Sequence, residues 1–135
     1  MQLDLMVPSV EIGISTTNLD AMVEFYAGFL ELPHTGDMDF PGGTQKRYSL
    51  GKNVLKLVTY DTPPIEASLP GGGPAQTGIR YVTVVVSGLR AVQEAFDASP
   101  YQVTVPVTEL AEMPGFGWMY VADPDGNWIE ISGSL

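Results

Sequence analysis

Cysteine is absent from the 135 residues. That removes disulfides, thiolate metal sites and cysteine nucleophiles together. Histidine is nearly absent, His34 being the single imidazole. Basic residues are scarce: six Lys and Arg stand against sixteen Asp and Glu, a net charge of −10. A nucleic-acid partner needs a basic footprint for its phosphates, and an anionic membrane needs one for its headgroups, so neither partner is expected. The acidity alone does not identify a cationic ligand, because it also serves solubility. Charged residues are only 16% of the chain, too few for long disordered tails. No apolar run reaches the ~20 residues of a membrane helix. The start of the chain, Met1 to Pro8 with acidic Asp4, lacks the basic and apolar regions of a signal peptide. A soluble cytoplasmic protein is the expectation. Apolar residues at 44% support a real core, and the length suits one compact domain.

What is present is a pattern that occurs twice. Val10 to Ser15 alternates like a strand, with Ile12 and Ile14 on one side and Glu11, Gly13 and Ser15 on the other. Thr17-Asn-Leu-Asp20 has the form of a capping box, and Leu19, Met22, Val23, Tyr26 and Phe29 follow at helical spacing to a stop near Pro33. Strands are expected around 34–39, 44–50 and 53–60, with a turn at Gly51-Lys52. The order then recurs. A strand spans 79–86, and Leu89, Val92 and Phe96 lie 70 residues after Leu19, Met22 and Tyr26. Further strands are expected around 101–107, 117–122 and 128–132, and Asn127 to Ile131 lies 74 residues after Asn53 to Leu57. This near-constant offset indicates an internal duplication, the alternative being chance likeness of two α+β stretches. Module one is placed at 8–61, a Pro- and Gly-rich linker at 62–77, and module two at 78–135, together forming a single domain.

Two βαβββ modules of this size resemble the vicinal oxygen chelate superfamily, which contains glyoxalases, bleomycin-resistance proteins and dioxygenases. The resemblance is carried by Val121-Ala-Asp-Pro-Asp-Gly-Asn-Trp-Ile-Glu-Ile131, similar to that family's final hairpin, and by Asn18-Leu-Asp followed by Glu24-Phe-Tyr26, similar to its helix opening. Pro124 presets a turn and Gly126 can take positive φ. The implied fold is α+β, two tandem βαβββ modules forming curled mixed sheets around a central pocket. A homodimer is implied by the same analogy.

In that family a divalent metal is commonly held by His or Glu on the first and last strand of each module. By motif those positions are Glu11, Lys56, Tyr81 and Glu130. A protonated lysine has no lone pair and repels a cation, and a protonated phenol is a poor ligand. No cofactor is therefore predicted, and the residual metal alternative is a weak site of Glu11, Glu130 and waters. The resemblance also implies that Trp118 and Tyr120 face the pocket. The 74-residue offset then points to Thr44 and Lys46, with Tyr48 two residues on, whereas a register slip of one would bring in Arg47 instead. His34 is expected at the rim, or simply on the surface.

Three functions fit these residues. In the first, Glu11, Lys56, Tyr81 and Glu130 form a metal-independent acid–base cluster of an isomerase, epimerase or lyase, with Trp118, Tyr120, Lys46, Tyr48 and His34 binding substrate. The alternative reading of that cluster is a salt bridge closing an empty cavity. In the second, the chain sequesters a drug or metabolite without changing it, as resistance proteins do. In the third, it is a metal-dependent glyoxalase-like lyase. Each has a small molecule as partner; fold alone does not choose among them.

Overall fold

The computed structural model describes residues 1–69 and 71–135. Pro70, within the expected linker, lies outside them. The chain divides into two compact units, Met1–Ala67 and Ser68–Leu135. The first contains β1 (Glu11–Ser15), α1 (Leu19–Val23), a π-helical continuation (Glu24–Phe29), β2 (His34–Phe40), β3 (Gly43–Leu50) and β4 (Asn53–Tyr60). The second contains β5 (Tyr81–Val86), α2 (Leu89–Asp97), β6 (Val103–Glu109), β7 (Phe116–Ala122) and β8 (Trp128–Ser134).

The two units share one topology. The first sheet has strand order β1-β4-β3-β2 and the second β5-β8-β7-β6, with β1 parallel to β4, β5 parallel to β8, and every other pair antiparallel. A parallel pair needs a crossover, and the helix of each unit supplies it. This is the α+β, βαβββ-twice architecture that the repeat implies.

In each unit one sheet face is covered. Ile12 opposes Leu55 and Ile14 opposes Leu57, while Tyr48 opposes Leu55 from the other side. Cross-strand partners point to the same face. Leu55, Leu57 and Tyr48 are accordingly buried with Met22, Phe25 and Tyr26 of the helix. In the second unit Met119, Val121, Ile129 and Ile131 are buried with Leu89 and Phe96 of α2. The alternate residues of every strand occupy the face that the helix leaves open.

Two local features depart from the expectations. No capping box forms at α1: Asn18 is the N-cap and no side chain caps it. The Thr16 hydroxyl instead accepts the Asn18 N–H at 2.9 Å, and that local turn begins the helix one residue later. The helix then widens, as Leu30 N donates to Phe25 O at 2.9 Å, and it ends at Glu31, whose φ of 53° is left-handed. The hairpin between β7 and β8 follows its motif. Buried Asp123 accepts the amides of Asp125 and Asn127 and the Asn127 side chain at 2.8–3.0 Å, and Gly126 turns at φ 83°.

Leu57 is fully buried, whereas Val85, on the open face of β5, is 70% exposed. Leu57→Ala should lower stability by about 2–5 kcal/mol, and Val85→Ala should change it by less than about 0.5 kcal/mol. Denaturant unfolding of both variants checks the assignment of faces.

Candidate functional site

The open face of the first sheet follows from strand parity. It carries Glu11, Gly13 and Ser15 from β1, Val54, Lys56 and Val58 from β4, Gln45, Arg47 and Ser49 from β3, and Met38 from β2. Its charged groups converge on Glu11. Arg47 grips that carboxylate with both terminal nitrogens, Nη2 to Oε1 at 2.6 Å and Nη1 to Oε2 at 3.3 Å, and Lys56 Nζ reaches Oε2 at 3.1 Å. Arg47 Nη1 also lies 3.4 Å from Gln45 Oε1. Hydrogen bonds from Arg47 and then Lys56 hold the Glu11 carboxyl below the usual carboxylate range.

Lys46 and Tyr48, expected toward the pocket, are placed on the opposite, helix-side face, and His34, expected at the rim or on the surface, lies on that same face and is half exposed. Tyr48 is buried, and burial pushes its phenol up from the ordinary value. Lys46 Nζ donates to Asp37 Oδ2 at 2.9 Å, and His34 Nε2 lies 2.7 Å from Asp37 Oδ1 with its ring 5.4 Å from Tyr48. A bulge between His34 and Gly36 makes the His34–Asp37 contact. The register explains the correction. Tyr120 opposes Glu130 and Arg47 opposes Lys56, so Arg47 is the counterpart of Tyr120. The offset is 74 on the last strand but 73 on the one before it, because the turns joining the strands differ in length. Arg47, rather than Lys46, faces the open side.

The open face of the second sheet is chemically different. Tyr81 and Thr83 come from β5, Trp128 and Glu130 from β8, and Trp118 and Tyr120 from β7. Tyr120 is the hub. Its ring centroid lies 5.4 Å from Tyr81, 5.5 Å from Trp118 and 5.2 Å from Trp128. Burial, then a hydrogen bond with Tyr81 and the Glu130 charge, push the Tyr120 phenol up to about 12, so it stays neutral. Thr83 Oγ1 donates to Glu130 Oε2 at 2.5 Å. Among the described residues no cation pairs with Glu130. Trp128 escaped the sequence reading, although its place two residues before Glu130 in an alternating strand marks the same face. The chain preceding β5 lies against it: a side chain on Gly72 would enter the Trp128 indole, and Arg80 secures this segment by donating to Gly72 O at 3.0 Å, Leu69 O at 2.5 Å and Ser68 Oγ at 3.2 Å.

The structure thus joins Glu11 to Lys56 within one unit, and Tyr81 to Tyr120 beside Glu130 within the other. A divalent ion does not fit the donors of the first set. Glu11 is already neutralised by a guanidinium and an ammonium, and neither cation has a lone pair to offer. Among the described residues no three His, Cys, Asp or Glu side chains stand together to hold a metal.

The family model for the Glyoxalase/Bleomycin resistance protein/Dioxygenase superfamily matches residues 9–131. No curated protein matched the sequence. Among solved structures, a glyoxalase family protein from Bacillus cereus superimposes with a TM-score of 0.78 at 15% identity, covering 100% of this chain and 99% of that one. A glyoxylase/bleomycin resistance protein/dioxygenase domain from Frankia sp. gives 0.72 at 15% identity, covering 99% and 94%. The trypanothione-dependent glyoxalase I of Leishmania major gives 0.64 at 20% identity, covering 91% and 84%. At these identities the likeness concerns the fold. No helix among the described residues is long and apolar enough to cross a membrane.

Because the Glu11 pKa is lowered on folding, the carboxylate stabilises the native state above its unfolded-state pKa, and this contribution is lost as pH falls through the lowered value. Carboxyl NMR should show Glu11 titrating below an ordinary glutamate. Combined Arg47→Gln and Lys56→Met substitution should bring it back up.

Proposed function

The chain belongs to the Glyoxalase/Bleomycin resistance protein/Dioxygenase superfamily, and from its geometry we propose that it is a small-molecule binding protein of the resistance type, taking a flat, cationic organic ligand on the open face of the second module. One observation carries this reading: Tyr120 touches Tyr81, Trp118 and Trp128, and Glu130 stands opposite it on the neighbouring strand without a cationic partner among the described residues. Aromatic faces attract a cation through their quadrupoles, and a carboxylate beside them adds its charge. The neutral Tyr120 phenol supplies a hydrogen-bonding group at the centre. Glu11 supports the choice from the other side. Held down by two cations, it is a weak base, which removes one member of the acid–base set Glu11, Lys56, Tyr81 and Glu130. Homodimerisation and a cytoplasmic location belong to the same proposal.

A second reading rests on Glu130. It is bonded to a neutral hydroxyl, with the phenols of Tyr81 and Tyr120 close by, a set that suits proton transfer in a metal-independent isomerase, epimerase or lyase. The fate of the ligand separates the readings.

Titration of the protein with a planar aromatic cation, N-methylacridinium, should quench tryptophan fluorescence to saturation with the dye recovered intact. Trp118→Ala and Glu130→Gln should each weaken binding about tenfold. Unchanged affinity in both variants sinks the proposal. Turnover of carbonyl metabolites that survives a chelator and is lost in Glu130→Gln would establish the enzyme in its place.

A further inference from the structure

We propose that the open face of the first module is a recognition site for a small oxyanion, a carboxylate or phosphoryl group, held by Arg47 and Lys56. The chain has six basic residues, and four of them, Lys46, Arg47, Lys52 and Lys56, fall within 46–56. Strand parity sends two of these to the open face and leaves Glu11 as the only acidic side chain that the four strands place there. A protein of net charge −10 therefore keeps a local surplus of one positive charge at this face.

The donors are arranged for an anion. Glu11 occupies one N–H on each terminal nitrogen of Arg47 and one proton of Lys56. Arg47 Nε–H, the second Nη2–H and the remaining Lys56 protons have no partner among the described residues. Glu11 fixes the guanidinium beside the ammonium, so an oxyanion meets two cations already oriented. Both side chains remain accessible, 20% exposed for Arg47 and 24% for Lys56. Gly13 opposes Lys56 across the parallel pair, and a Cβ there would sit 4.0 Å from Lys56 Cε and 3.8 Å from Val58 Cγ2. A methyl-sized gap thus lies open beside the lysine stem. Lys46 has no such role, being paired with Asp37 on the other face.

This site shares no residue with the aromatic face, so the two proposals stand or fall separately. Chemical shifts of Arg47 Nε–H and of the β1, β3 and β4 amides would be followed during titration with inorganic phosphate and, separately, benzoate. Saturable shifts centred on Arg47 and Lys56 are expected with at least one probe; the probe that binds tells a phosphoryl from a carboxylate ligand. Arg47→Gln and Lys56→Gln should each weaken binding about tenfold. Glu11→Gln removes the competing charge and should tighten it about tenfold, an outcome opposite to that of a structural salt bridge. Wild-type binding should also weaken as ionic strength rises, a readout independent of whether a variant folds. The proposal is overturned if neither probe shifts these resonances, or if folded Glu11→Gln binds no tighter than wild type.

Discussion

A four-stranded sheet crossed by one helix has only one face covered, and everything chemical in this molecule follows from that constraint. Alternation along each strand divides the side chains into those under the helix and those left open. Leu55 and Leu57 are buried, so Lys56 between them cannot be. Ile129 and Ile131 are buried, so Glu130 between them is turned the other way. The apolar core thus acts as the positioning device for the polar groups. Moving one strand by a single residue would exchange the two sets.

The duplication preserves this geometry while the chemistry diverges. Arg47 and Tyr120 occupy equivalent positions, each opposite the residue that follows the first apolar position of the last strand's core stripe. In the first unit the position holds a cation that clasps Glu11. In the second it holds the centre of a ring cluster. One scaffold, used twice in one chain, presents a charged surface and an aromatic one.

Much of this was legible before the structure. Repeated helical and strand patterns at a near-constant offset disclosed the βαβββ order, and the Asp123 turn had its residues written in plain sequence. Glu11 and Glu130 were traceable to the open faces because apolar neighbours flank each of them, Val10 and Ile12 in one case and Ile129 and Ile131 in the other, whereas Tyr81, which follows Arg80, was placed only by the family resemblance. Lys46 and Arg47 were not separable in this way. The stretch Thr44-Gln-Lys-Arg-Tyr48 has polar residues on both faces, so alternation gives no orientation, and only pairing with β4 decides it. The bulge that brings His34 to Asp37 and the Thr16 turn that displaces the expected helix cap depend on backbone geometry for which the local sequence offers competing solutions.

Arg80 fastens the chain before β5 mainly through main-chain oxygens, those of Leu69 and Gly72. A carbonyl is the same acceptor whatever side chain accompanies it, so the fastening at Leu69 does not depend on the identity of that side chain. Gly72 is one exception, because the indole of Trp128 fills the space where its side chain would begin, and Gly71 and Gly78 are two more, because their φ values of 102° and 115° disfavour residues that carry a side chain. Change in this segment is therefore easy at the anchoring carbonyls, yet held in check by a hydrogen-sized opening above the ring and by two left-handed backbone positions.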